Sequence, residues 1–352
     1  MGVDDVKITL NPEFDQIYDI RLATREDIPS IMEFLGKYWR KDHIMANNRM
    51  LFEYEYVHGD EVDFVIAVNR KNDVIEGIFG FLRCTKTRSG DIWGSMWKVS
   101  DNPDNMKMLG IELAKRVYPL TGCKSHIGSG ANPKTTVPLR KIFFHDKTAK
   151  MQQFYWLNPE MKDYAIIDVR HRWIPKKGED APIYRIKHFS LFEELDHAYN
   201  LELDQGIPHK DSWYIRHRFF EHPIYKYDAF GIMDENSVCK AVFFGRTIEV
   251  AESKIYRIVD YIGEQAMVAG LYEEIKELAL RGNYEYIDFV EYGINEEYLT
   301  AAGFRNRDWE DNIVPNYFEP FLRENVDIWV HYKEDGTTFF KADGDQDRPN
   351  VI

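Results

Sequence analysis

The chain has 352 residues, 44% of them hydrophobic and 30% charged, enough for about two domains that fold without metal or disulfide staples. Its 59 acidic against 45 basic residues give a net charge of −14, which repels a phosphate backbone and excludes a sequence-independent nucleic-acid binder. Three scattered cysteines with no C-x-x-C, an acidic start without an apolar core and no long apolar run signal no structural zinc, no signal peptide and no membrane insertion; a cytoplasmic protein without a metal is expected.

From Tyr18 the pattern predicts a short strand to Leu22, then a helix capped by Thr24 with Asp27 three residues on, carrying Ile28, Ile31, Met32 and Leu35 at helical spacing. Strands follow at Phe64–Val68, Ile75–Arg83 and Ile92–Val99, then a helix with Met106, Leu109, Leu113 and Val117 on one face. A strand near Lys124–Ile127, a helix near Val137–Phe144 and a strand at Gln153–Leu157 close this half. The second half repeats the order: strands at Tyr227–Met233, Val238–Thr247 and Lys254–Ile262, a helix marked by Val268, Leu271, Ile275 and Leu278, a strand at Tyr284–Val290 and a helix at Glu296–Ala302. Ile92 aligns with Ile255 and Gly110 with Gly270, a near-constant offset of about 160 residues that marks two copies of one α/β unit. The polar segment Pro175–Asp180 reads as the join, giving domains 1–175 and 176–352.

The first half resembles the GNAT superfamily of acyl-CoA-dependent N-acyltransferases. The resemblance is carried by Ile20–Pro29, by the strands ending at Ile92–Ser100, by the helix entered through Met108–Leu113, and by Gly130–Leu139 with Gln152–Asn158. The last two segments are similar to GNAT-like proteins of capsule and lipopolysaccharide gene clusters. Ile258–Gly263, Glu285–Phe289, Ile313–Phe321 and the tail Lys341–Asn350 are similar to the downstream domain of the same group. The resemblance implies an α/β (α+β) chain of two tandem GNAT-like domains, each a mixed, largely antiparallel twisted sheet flanked by helices. It implies acetyl-CoA as co-substrate and a nucleotide-linked amino sugar, or an aminoacyl group attached to one, as acceptor.

A pyrophosphate suits backbone N–H groups at a helix N-terminus, and the family's loop reads Q/R-x-x-G-x-G/A. Here Asn105–Gly110 keeps Gly110 but has Met108 where the first glycine is usual; Lys107, Met108, Leu109 and Gly110 are the cofactor candidates, with Lys107 as a compensating charge. The equivalent Gln265–Gly270 has acidic Glu264 beside it, so the first half is the expected cofactor site. By resemblance, a backbone N–H near Trp97, Lys98 and Val99 serves the oxyanion, and Asn132 bonds the pantetheine arm; an N-cap role for Asn132 is compatible. Arg140 falls where the family's acidic tyrosine is usual, so Arg140 as an electrostatic partner of the thiolate, or Tyr155 as acid, takes its place. For the base, period-two alternation sets Asp260 on the strand face of Ile258 and Ile262, a partly buried carboxylate with raised pKa. A structural ion pair with Arg257 is the alternative, and His145 the other candidate base.

In the tail, Asp343, Asp345, Gln346 and Arg348 suit sugar hydroxyls or a phosphate, and Asn316 and Tyr317, in a proline-framed loop, offer an amide and an aromatic face. These are the acceptor candidates. Met108 and Arg140 also leave open an inactive tandem module that binds a sugar or protein, and a scaffold that uses a non-acetyl acyl donor.

Overall fold

A computed structural model describes residues 8–350; the chain start read above for targeting lies outside them. The chain forms two compact units. The first comprises the described residues through Thr148, with Trp329–Lys333 and the last described residues from Pro349. The second comprises Ala149–Ile328 and Glu334–Arg348.

The first unit's sheet runs in the order Tyr18–Leu22, Phe64–Asn69, Val74–Arg83, Ile92–Val99, His126–Ser129, Trp329–Tyr332. Neighbours are antiparallel except Ile92–Val99 with His126–Ser129, which run parallel. The alternating apolar residues bury both faces. Helix Ile28–Tyr38 covers one with Ile28, Ile31 and Leu35. Helix Leu109–Thr121 covers the other with Leu109, Leu113 and Val117. The expected cap is present: Thr24 and Asp27 bond reciprocally, ahead of a single 3-10 turn that leads into the helix.

The second unit repeats this arrangement in the order Arg185–Phe189, Asp228–Met233, Cys239–Val250, Ser253–Gly263, Tyr286–Tyr292, Gln152–Leu157, Arg305–Asn306. Again one central pair, Ser253–Gly263 with Tyr286–Tyr292, is parallel. The α/β class and the mixed sheets flanked by helices agree with the sequence reading.

Two features differ from it. The strand at Gln152–Leu157 does not close the first unit; it pairs antiparallel with Tyr286–Tyr292 in the second. Beside His126–Ser129 stands Trp329–Tyr332 instead. Sequential strands pair only about two-thirds of the time, and the buried pattern of Gln152–Leu157 fits either sheet. Pro175–Asp180, read as the join, lies inside the second unit, where Tyr272 Oη donates to the Pro175 carbonyl and Gly178 N to the Ala301 carbonyl.

Candidate functional site

In the first unit the parallel strands stay together for two pairs only, Ile92 with His126 and Trp93 with Ile127, and then part. On its other edge, Ile92–Val99 carries a bulge: Phe79 faces Trp97, but Phe81 faces Gly94. A bulge bends its strand and re-aims the side chains around it. Between the parting strands lies a cavity of about 410 Å³, walled by Gly94, Ser95 and Trp97 on one strand and by Gly128–Asn132 at and beyond the end of the other. His126, Arg140 and His331 also line it.

These three side chains belong to a buried polar network. Arg140 donates from Nε to Asp146 Oδ2 at 2.7 Å, from NH1 to His126 Nδ1 at 3.1 Å, and from NH2 to the His126 carbonyl at 3.1 Å. His331 Nδ1 lies 2.9 Å from Asp146 Oδ2. Burial works against the Asp146 carboxylate, but hydrogen bonding to His331 and the charge of Arg140 prevail and hold its pKa below the usual range. Arg140 therefore lines the cavity with its guanidinium committed to Asp146 and His126.

Asn132 caps the turn into helix Thr136–Phe144: its Oδ1 accepts from Lys134 N at 2.9 Å and Thr135 N at 3.2 Å. The helix after the bulged strand begins at Leu109, and Met108 before it has φ 72°, the left-handed conformation that glycine adopts without cost. Met108 thus adopts a conformation suited to the glycine expected at its position. Gly110 serves close packing: its carbonyl accepts from Trp97 Nε1 at 2.9 Å, and a methyl on it would press on Trp97 and Val99. Leu109 is buried in the core, whereas Lys107 is exposed. Lys98 pairs with Asp101 at 3.0 Å, and neither Lys98 nor Val99 lines the cavity.

No protein-family model matches the chain, and no curated protein matches it in sequence. Solved structures do. A GCN5-related N-acetyltransferase from Anabaena variabilis superposes with TM-score 0.53 at 10% identity, over 89% of this chain and 72% of that one. A probable N-acyltransferase from Enterococcus faecalis gives TM-score 0.52 at 9% identity, over 89% and 71%. The chain has the GCN5-related N-acetyltransferase fold. The remaining candidates are placed relative to the parted strands and the bulge.

In the second GNAT-like unit the equivalent parallel strands also part, after Ile258 and Phe289. There the gap is taken by the chain itself. Phe339 and Phe340 pair with Tyr292 and Glu291, and Ala342 N donates to the Val259 carbonyl at 2.8 Å. Phe340 is buried in the core. Asp260 anchors this insert: Lys210 Nζ donates to both its oxygens at 2.6 and 2.8 Å and forms an ion pair with Asp343 Oδ1 at 2.7 Å. Burial pushes the Asp260 pKa up against the pull of Lys210. The raised pKa expected for Asp260 is present, but its ion partner is Lys210, while Arg257 binds Asp288. The helix here begins at Tyr272, with Val268 in a preceding 3-10 turn, and Tyr184 packs where a side chain on Gly270 would sit.

Tyr155 lies in the second unit's core, its hydroxyl accepting from Trp173 Nε1 and Asn312 Nδ2, both at 2.9 Å. His145 is the exposed left-handed cap after helix Thr136–Phe144. Neither lines the first unit's cavity.

The acceptor candidates are partly gathered. Tyr317 Oη donates to Gln346 Oε1 at 3.2 Å, Gln346 bonds Asp345, and Arg348 NH2 bonds Asp345 at 3.2 Å. The Asn316 carbonyl accepts from Arg257. Asp343 stands apart from these contacts, on Lys210.

Sequence reasoning missed Lys341, whose buried ammonium sits 4.6 Å over the Tyr317 ring without a hydrogen-bond partner among the described residues. Burial and then Arg257 lower its pKa to about 7. His126 and His331 were missed too. His126 falls inside a predicted strand, and nothing near His331 in sequence names its partners; only the flanking Gly94 and Gly128, unusual within strands, signal a close approach.

Proposed function

We propose that the first unit binds an acyl-CoA, acetyl-CoA in the simplest case, and transfers its acyl group to an amine. The observation that supports this reading is the open gap between Ile92–Val99 and His126–Ser129, bulged at its wall. Beyond Trp93 the two strands no longer pair with each other, which opens the space in which a pantetheine arm would lie. Trp97 and Asn132 would flank that arm. The N–H groups opening helix Leu109–Thr121, shaped by the left-handed Met108, would take the pyrophosphate, with Lys107 adding charge.

The acceptor we propose is a nucleotide-linked amino sugar, or an aminoacyl group carried on one, in surface-polysaccharide synthesis. The sequence resemblance supports this reading, as do the linked side chains of Tyr317, Gln346, Asp345 and Arg348 and the Lys341 ammonium over the Tyr317 ring, which has no hydrogen-bond partner among the described residues; together they suit a ligand with hydroxyls and an anionic group. The test is thiol release from acetyl-CoA with a panel of amines: nucleotide-linked amino sugars, glycinamide and hydroxylamine. Release with an amino-sugar nucleotide well above the other two is the expected result. Release with none of them, although acetyl-CoA binds, would favour the inactive binding module or another acyl donor.

A further inference from the structure

The two histidines of the first unit's cavity carry opposite hydrogen-bonding roles. Arginine can only donate, so its contact makes His126 Nδ1 an acceptor and leaves the ring proton on Nε2. Asp146, an ionised carboxylate, can only accept, so His331 Nδ1 holds the proton and its Nε2 carries a lone pair. Both Nε2 atoms occupy space left by missing side chains: a methyl on Gly94 would strike His126 Nε2, and one on Gly128 would strike His331 Nε2. The rings lie edge to face with centroids 5.6 Å apart, and both line the cavity. His126 Nε2 is buried and has no hydrogen-bond partner among the described residues. A buried donor left unpaired costs about 1–3 kcal/mol, and on a residue that lines a cavity it is a candidate partner for a ligand's acceptor atom.

We propose that His331 Nε2 is the general base of amide formation in this cavity, and that His126 Nε2–H donates to the oxygen of the thioester carbonyl. The assignment rests on the acyl-transfer reading above and adds its chemistry. The uncharged amine nitrogen attacks the thioester carbon, forming the C–N bond while the carbonyl oxygen takes negative charge against His126 Nε2–H. His331 Nε2 then accepts a proton from the attacking nitrogen. Collapse re-forms the carbonyl and breaks the C–S bond, and the thiolate leaves with the electron pair. The proton on His331 passes to the thiolate or to water. Asp146 acts through His331 as a positioning residue, fixing its tautomer, and Arg140 does the same for His126.

The charged and titratable groups facing the pair are Arg140 and Asp146 beside helix Thr136–Phe144, Lys333 after the strand Trp329–Tyr332, and Tyr118 from helix Leu109–Thr121. Burial, then Arg140, lowers His126 far below its ordinary value, and the same causes in the same order bring His331 down to about 4. Both rings are therefore neutral at pH 7. A weak base suits this step, because the nitrogen of a tetrahedral adduct is far more acidic than a free ammonium.

The experiment measures kcat and acetyl-CoA affinity together, using the most reactive amine of the panel. His331→Gln retains a donor for Asp146 but cannot take a proton; it should lower kcat by about 100-fold or more while the acetyl-CoA Kd stays within threefold. Added imidazole should restore His331→Ala, in proportion to the free-base form across a series of substituted imidazoles. His126→Gln, which keeps an N–H, should retain more kcat than His126→Leu. A His331→Gln enzyme with kcat within threefold of the parent, or failure of imidazoles to rescue a His331→Ala protein that still binds acetyl-CoA, overturns the base assignment alone. Equal losses in His126→Gln and His126→Leu overturn the donor. A parent chain that binds no acetyl-CoA overturns the acyl-transfer reading itself.

Discussion

The two units share a strand order and a parting parallel pair, yet treat the gap in opposite ways. In the first unit it is a cavity lined by histidines and glycines. In the second, Phe339–Phe340 and Ala342 occupy it, pairing with both diverging strands. A parted pair of strands leaves backbone groups that something must satisfy. One copy meets that need with its own chain, and the other keeps an open cavity there. Asp260 belongs to the first solution: its burial and raised pKa come from holding Lys210 and, through it, Asp343 beside the inserted segment.

The contrast can be broken from either side. The largest effect is expected at Lys210→Met, which leaves Asp260 and Asp343 buried without their cation and should cost about 3–5 kcal/mol. Urea unfolding would measure it, and acetyl-CoA affinity in the native state should not change. A loss of affinity would show that the cofactor depends on the filled gap.

The next effect is in pH dependence. Burial, then Arg140, brings His331 in the folded chain down to about 4 from its ordinary 6.5. Between those values the unfolded chain binds more protons, so stability falls as pH drops through that window, by up to about 3 kcal/mol for this group. His58, lowered by burial to about 4, and His222, lowered by burial to about 3, act in the same direction. The difference between parent and His331→Gln in urea midpoints at pH 7 and pH 4.5 isolates the His331 share. An equal drop in both proteins would remove it.

The smallest effect concerns Met108. A non-glycine residue in the left-handed region costs about 1–2 kcal/mol, offset in part by the chain entropy of glycine. Met108→Gly should therefore add about 0.5 kcal/mol of stability and tighten acetyl-CoA no more than a few-fold. A marked loss of affinity would show that the Met108 side chain itself holds the cofactor.

The repeated order of strands and helices was legible because apolar periodicity is local, as in Ile28, Ile31 and Leu35 or in Leu109, Leu113 and Val117. The exchange of Gln152–Leu157 and Trp329–Tyr332 between the two sheets was not, since a buried strand does not name its partner. Asp260 could be singled out as a buried carboxylate on a strand face, but Lys210 lies 50 residues away in sequence. His331 is still more remote from its partner: 185 residues separate it from Asp146. Only the folded chain shows that they share a hydrogen bond beside Gly128.

The decisive quantity is where acyl-CoA binds. Calorimetric titration of acetyl-CoA into the parent chain and into Gly128→Val tests it, since valine there would push His331 into the cavity. One molecule bound per chain, weakened about 100-fold by Gly128→Val, a loss of about 3 kcal/mol, is the predicted result. Two molecules per chain, none, or an affinity untouched by Gly128→Val would contradict it.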